Sequence, residues 1–256
     1  YNVIEGETAE TVHLETEFAA YVGAKFCLSV ASGGYALAAA LRAVGLVHGD
    51  KVLTNAFTLA PVPGAIANAG GVPVFVEVTA DLVMDLDDLL VKIAQSGARF
   101  LMLSHMRGHI VDMDALMAIC DASDVTVIED CAHTMGAHWN GVPSGRHGVV
   151  GCYSTQTFKH INSGEGGLFI TDDPEVMARA TMLSGSYMLY GSHAAGAPKE
   201  TFADISLDTP NCSGRMDNLR AAILRPQLAN LDKKAKAWNE RYRRIESGLN
   251  NTAGLR

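Results

Sequence analysis

The chain has 256 residues, 48% hydrophobic and 19% charged, which is enough apolar material for a sizeable core and excludes overall disorder. At about 150 residues per domain the length allows one domain or two. Lys and Arg number 20 against 28 Asp and Glu, a formal charge of −8, which argues against nucleic acid or an anionic membrane surface as the main partner.

In chain order, residues 25–31 (KFCLSVA) read as a strand and 35–46 (YALAAALRAVGL) as an alanine-rich helix. β-rich apolar runs recur at 52–56, 72–78 (VPVFVEV), 100–105 (FLMLSH) and 125–130 (VTVIED). Helical stretches are expected between them at 61–69, 86–95 and 113–122, the last opened by Asp112 as an N-cap. Two more strands, 151–155 and 167–171, flank a glycine-rich turn. From Met216 the chain turns helical and strongly charged (LDKKAKAWNERYRRIESGL), a shift that suggests departure from the sheet domain. This alternation predicts an α/β fold, a mostly parallel sheet with helices on both faces.

No apolar run reaches the roughly 18–20 residues of a membrane span. The opening YNVIEGETAE lacks the basic start and apolar stretch of a secretion signal, so a cytoplasmic location is expected. Cys27, Cys120, Cys131, Cys152 and Cys212 are odd in number, scattered and never in C-x-x-C spacing. Reduced, mostly buried thiols are expected, with no disulfide framework and no metal site.

In open α/β sheets ligands bind beyond the carboxyl ends of strands, and three places there carry chemistry. Ser32-Gly33-Gly34 joins a strand to a helix, where glycine allows close backbone approach and free N–H groups favour an anion; a plain tight turn has the same residues. Asp130 closes an apolar strand in VIEDCAHTMGA and suits either a cationic ligand nitrogen or a turn cap, with His133 three residues on. Lys159 in STQTFKHINSGEGG follows a strand, where partial desolvation would lower its pKa and free a nucleophilic amine; Ser154 before it offers a hydroxyl to an anion. Singly, each residue also has a purely structural use. Together, an anion-binding turn, an acid for a ring nitrogen and a Schiff-base lysine are the parts that pyridoxal 5'-phosphate requires.

The segments FAAYVGAKFCLSVASGGYALAAAL, AIANAGGVPVFVEV, HMRGHIVDMDALMAIC, VIEDCAHTMGA, STQTFKHINSGEGGLFITDD and GRMDNLRAAIL follow one another as in the DegT/DnrJ/EryC1/StrS family, and the chain resembles these fold type I, pyridoxal-phosphate-dependent sugar aminotransferases over nearly its whole length. The resemblance implies that Lys159 forms the Schiff base and moves the proton, and that Asp130 bonds the pyridinium nitrogen. It places His133, where the family usually has Gln, near the phenolic oxygen, and Ser154, Gly33 and Gly34 around the phosphate. Gly34 stands where Thr is usual, so one hydroxyl ligand is missing. Leu59 occupies the ring-stacking position, with Phe57 two residues earlier, and either covers the ring. Asn211 represents an Asn-x-Arg segment of altered spacing that often reaches a neighbouring subunit.

The resemblance further implies amino transfer from glutamate or glutamine to a keto group on a nucleotide-linked sugar or cyclitol. It implies a homodimer with active sites between subunits. Another pyridoxal-phosphate reaction on an amino acid and a non-catalytic regulatory role remain alternatives. Residues 1–215 are expected to form the cofactor-binding domain, and 216–256 a helical segment leading into a truncated or missing small domain. The chain is then a fragment of a longer product or a reduced family member. Tyr187, Tyr190 and His193 fall in a segment that either lines a substrate mouth or is a mobile surface loop.

Overall fold

The computed structural model describes residues 9–185, 190–250, 252 and 254. After a first helix, α1 (Glu10–Val22), strands and helices alternate: β1 (Phe26–Val30), α2 (Gly33–Ala43), β2 (Lys51–Asn55), α3 (Pro61–Ala69), β3 (Val72–Val76), α4 (Leu86–Ser96), β4 (Phe100–Ser104), α5 (Met113–Ala122) and β5 (Thr126–Asp130). A two-stranded ribbon follows, β6 (His138–Trp139) with β7 (Val142–Pro143), then β8 (Val150–Ser154), β9 (Gly167–Thr171), α6 (Pro174–Ser184), α7 (Phe202–Asp208), α8 (Asn218–Leu228) and α9 (Leu231–Asn250).

Seven strands form one sheet in the order β1-β9-β8-β5-β4-β2-β3. The contacts β2–β3, β2–β4, β4–β5 and β5–β8 are parallel, and β9 runs antiparallel to both β1 and β8. The expected α/β class and mostly parallel sheet are therefore observed. β1, β5 and β8 point the same way, so the residues just past them, starting at Ala31, Cys131 and Thr155, gather along one edge of the sheet.

Strand alternation divides the core. Leu28, Val30, Met102, Ile128, Cys152 and Phe169 pack with the alanines of α2 and with α6 on one face. Cys27, Tyr153, Leu168 and Ile170 meet α1 and α8, while Leu53, Leu101, Leu103 and Val127 meet α4 and α5, on the other. The small side chains of α2, with Ala36, Ala40 and Leu41 fully buried, let that helix lie close over the middle of the sheet and bring its N-terminus to the strand ends. All five cysteines are free thiols, four of them buried.

Two regions show packing that the sequence expectations did not include. Met216, Ala221, Leu224 and Leu228 are buried in the same cluster as Leu14 and Phe18 of α1, so α8 packs into the same core as α1. Along α9, Trp238, Tyr242, Ile245 and Leu249 are exposed. Tyr190 and His193 are both tied into the fold. The Tyr190 ring stacks on Phe202 at 4.7 Å, and His193 Nε2 lies 2.7 Å from the buried Glu15 carboxylate, because a carboxylate removed from water must find donors. Tyr187 lies outside the described residues. Among the described residues, no helix is long and apolar enough to cross a membrane.

Candidate functional site

Ser32 caps α2, its hydroxyl accepting the Tyr35 N–H at 3.0 Å. This leaves the first N–H groups of the helix, including those of Gly33 and Gly34, at an end where the helix dipole favours an anion. Two glycines permit the arrangement. A Cβ on Gly33 would come within 2.8 Å of Ser154 Cβ, and one on Gly167 within 2.5 Å of the Ser32 carbonyl oxygen. Gly167 pairs with Val30 on one side and Ser154 on the other, so its missing side chain lets the 32–34 turn lie across β9 and touch Ser154. Gly34 is different: a Cβ there would meet only Ser32 Oγ, at 4.0 Å. The predicted anion-binding residues thus meet in space.

Asp130 is 7% exposed at the end of β5. Its carboxylate accepts the Ser104 hydroxyl at 2.9 Å and the Ala132 N–H at 3.1 Å. Ser104 sits opposite it in the β4–β5 register and in turn accepts the Thr58 hydroxyl at 2.9 Å. Asn55 ties the same corner, its amide donating to the Ser104 carbonyl and its oxygen accepting the Ser104 N–H. Every direct donor to Asp130 is neutral, and among the described residues no cation pairs with it.

His133 bridges two segments. Its Nδ1 accepts the Arg107 backbone N–H at 3.3 Å, and its Nε2 lies 2.9 Å from Lys159 Nζ. Arg107 holds φ 56°, a left-handed conformation uncommon for a residue with a side chain. Burial leads the effects that push the His133 pKa below its ordinary value, and a charged Lys159 would add to it. Burial also pushes the Lys159 amine down; the Asp130 carboxylate opposes this and the Arg107 guanidinium reinforces it.

The loop bearing Lys159 is pinned at several points. Thr155 N bonds Gly166 O, Ser163 N bonds Thr155 O, and Lys159 N bonds Gln156 O. From α8, Gln227 accepts the Asn162 N–H at 3.1 Å and donates to the Asn162 carbonyl at 2.7 Å. The His160 ring, next to the lysine, meets Trp238 of α9 edge-on at 5.5 Å.

Phe57 is half-buried and Leu59 is 42% exposed in the loop after β2, the loop that also carries Thr58. The Asn211 side-chain oxygen accepts the Ser213 N–H at 2.9 Å in a local turn beside Gly185.

Sequence reasoning passed over Ser104, Thr58, Arg107 and Gln227. Ser104 had a readable signal, a polar residue ending the apolar run FLML. The other three act through contacts that spacing along the chain does not encode.

One strand position before Asp130, on the opposite face of the sheet, Glu129 is fully buried. It accepts His105 Nε2 at 3.0 Å and the N–H groups of Gly145, His147 and Gly148, each at 2.8 Å. Burial alone would raise its pKa, but the hydrogen bonds from His105 and His147 lead the opposing effects and hold it well below the usual carboxylate range. His105, Glu129 and Cys131 form a group able to hold a metal ion, yet both carboxylate oxygens already accept protein donors.

A model of the DegT/DnrJ/EryC1/StrS aminotransferase family matches residues 3–256. The "Pleiotropic regulatory protein" of Geobacillus stearothermophilus is 33% identical over 235 residues, 90% of this chain and 58% of that protein. The "dTDP-3-amino-3,4,6-trideoxy-alpha-D-glucose transaminase" of Streptomyces venezuelae is 35% identical over 244 residues, 94% of this chain and 60% of that protein. The "Putative L-glutamine:3-amino-2,3-dideoxy-scyllo-inosose aminotransferase" of Micromonospora echinospora is 38% identical over 168 residues, 65% of this chain and 40% of that protein. Among solved structures, S. venezuelae DesV in complex with a ketimine intermediate superposes with a TM-score of 0.81 at 32% identity, covering 98% of this chain and 65% of that one. The chain therefore spans about three fifths or less of the length of these curated relatives.

Proposed function

The chain belongs to the DegT/DnrJ/EryC1/StrS aminotransferase family, and from that premise we propose that it is a pyridoxal-phosphate-dependent aminotransferase. Its donor is glutamine or glutamate, and its acceptor a keto group on a nucleotide-linked sugar or a cyclitol. The observation that carries the reading is the half-buried Lys159 amine held by His133, on the loop that follows β8, beside the end of β5 where Asp130 sits buried. The names of the Streptomyces and Micromonospora relatives support the acceptor class.

The residues present fit pyridoxal 5'-phosphate. Asp130 is a buried carboxylate with only neutral direct donors, which suits a protonated ring nitrogen. The α2 N-terminus offers N–H groups beside Ser154, with space above Gly34. The N–H groups of Gly33 and Gly34 and the Ser154 hydroxyl would hold the phosphate. Asp130 would hold the ring nitrogen, His133 would stand by the phenolic oxygen, and Lys159 would attach at the aldehyde carbon. Phe57 or Leu59 would cover the ring, and Asn211 would act across a subunit boundary in a homodimer. When bound, the cofactor supplies an electron sink and carries the amino group from donor to acceptor.

The chain's own residues do the rest. Ser104 and the Ala132 N–H keep Asp130 in one orientation, and Thr58 fixes Ser104. The lowered pKa of Lys159 lets its amine take a proton from the substrate carbon and return it nearby. Gln227 keeps the loop bearing that amine in place. A cytoplasmic location belongs to the same reading.

The test is spectroscopic. Added pyridoxal phosphate should give an absorbance band near the visible edge that Lys159→Ala abolishes, and glutamine or glutamate should then convert the cofactor to pyridoxamine phosphate. No band in the wild-type chain overturns the cofactor assignment. A band without conversion by any amino donor overturns the aminotransferase. That second result would favour the non-catalytic reading, for which the name of the Geobacillus relative speaks.

A further inference from the structure

We propose that His133 is a positioning residue that holds Lys159 as the neutral amine, because the fold makes its Nδ1 an acceptor and leaves its Nε2–H as the donor facing Nζ. The inference rests on Lys159 being the reactive lysine of the proposed function.

The argument begins at Arg107. Its backbone N–H can only donate, and it points at His133 Nδ1 from 3.3 Å. The turn is tied on both sides of it by Gly108 N to His105 O and His109 N to Met106 O, each 3.1 Å. Nδ1 must therefore be unprotonated, and the single proton of the neutral ring sits on Nε2. Nε2 lies 2.9 Å from Lys159 Nζ. An ammonium has three donors and no lone pair, so facing Nε2–H it would set donor against donor. The neutral amine has a lone pair and accepts.

The other proton arrangements fail at one end or the other. An ammonium donating to a bare Nε2 would move the ring proton to Nδ1, against the Arg107 N–H. An imidazolium would meet that N–H and the lysine at once. The charged and titratable groups acting on His133 are Lys159, Asp130, Arg107 and His160. Of these only Asp130 favours a charged ring, and burial outweighs it in the net direction. The same direction holds at Lys159, where burial exceeds the pull of Asp130. The chain thus readies the lysine for attack on a carbonyl carbon before any cofactor is present.

Glutamine at position 133 would supply the same pair of groups, a carbonyl to accept from Arg107 and an N–H to donate to Lys159. Leucine would fill a similar volume with neither. The experiment therefore uses the full chain without added pyridoxal phosphate in three forms: wild type, His133→Gln and His133→Leu. Trace acetylation with acetic anhydride, read at Lys159 by mass spectrometry across pH, gives the midpoint for the free amine. His133→Leu should raise that midpoint by about one pH unit, a tenfold change in the ionisation constant, and His133→Gln should restore it close to the wild-type value.

Long-range 1H–15N correlation of 15N-histidine protein, with the His133 signals identified by their loss in His133→Gln, should show the Nε2–H tautomer. This second measurement reads the wild-type chain and does not depend on the leucine variant folding. An Nδ1–H tautomer, an unchanged midpoint in His133→Leu, or a midpoint raised as far by Gln as by Leu would each overturn the proposal. Because neither readout uses the cofactor, failure here is distinct from an absent absorbance band, which would refute the proposed function instead.

Discussion

Gly167→Ala and Gly34→Ala add the same methyl to the same corner of the fold, yet they should have opposite consequences. At Gly167 the new Cβ would lie 2.5 Å from the Ser32 oxygen, 2.6 Å from the Ser32 carbonyl carbon and 2.8 Å from Gly33 N. Ordinary contacts lie at about 3.5–4.0 Å, so the turn must lift by about 1 Å. Every one of these atoms is backbone, and no rotamer change can relieve the clash. Overpacking of this kind costs about 1–3 kcal/mol. At roughly 2–4 °C per kcal/mol for a chain of this size, Tm should fall by roughly 2–12 °C. The lifted turn also carries Gly33 away from Ser154, so affinity for pyridoxal phosphate should fall with it.

At Gly34 the nearest atom to a new Cβ is Ser32 Oγ at 4.0 Å, and its φ lies outside the left-handed region. Alanine there is expected to leave Tm unchanged or raise it, since glycine inside a helix costs up to about 1 kcal/mol. Calorimetric Tm values for both variants, with equilibrium dialysis of pyridoxal phosphate against Gly167→Ala, test the argument. A neutral Gly167→Ala, or two variants with equal losses, would refute the close packing of the turn over β9.

Two further perturbations test the framework around the site. Glu129→Gln turns one oxygen of a fully bonded buried carboxylate into an amide that faces N–H donors, and should destabilise the chain by about 3 kcal/mol. Because the Glu129 pKa in the fold lies below its ordinary 4.5, its stabilisation is complete above that value and is lost as pH falls beneath it. The wild-type Tm should therefore drop more steeply than the variant's below about pH 4.5, and parallel acid limbs would refute this. Arg225→Ala removes bonds from α8 to Glu10 at 2.8 Å and to Glu17 at 2.6 Å across to α1. These groups are partly exposed, so the loss in urea unfolding should be about 1 kcal/mol at low salt and smaller near about 1 M salt; a loss independent of salt would assign the effect to packing.

The local signals in the sequence reached far. Apolar runs, the Asp112 cap and the glycine-rich turn marked the central strands, and the helices Pro61–Ala69 and Met113–Ala122 have the expected bounds. The reason is physical: periodicity and caps act within a few residues. The same locality brought attention to Asp130 and Lys159 as residues following strands. It left α1, α6 and the β6–β7 ribbon unread, and it did not show that α8 packs against α1.

What tertiary structure alone decided are partnerships across long separations. Ser104 meets Asp130 because β4 and β5 pair in one register, and the Arg107 N–H meets His133 because a left-handed turn stands over the next strand's end. Gln227 reaches back 65 residues to Asn162, and His193 goes to Glu15 because that carboxylate is buried. A sequence names the groups able to do chemistry, but the sheet register and the helix packing determine which donor faces which acceptor, and so which protonation states the site can hold.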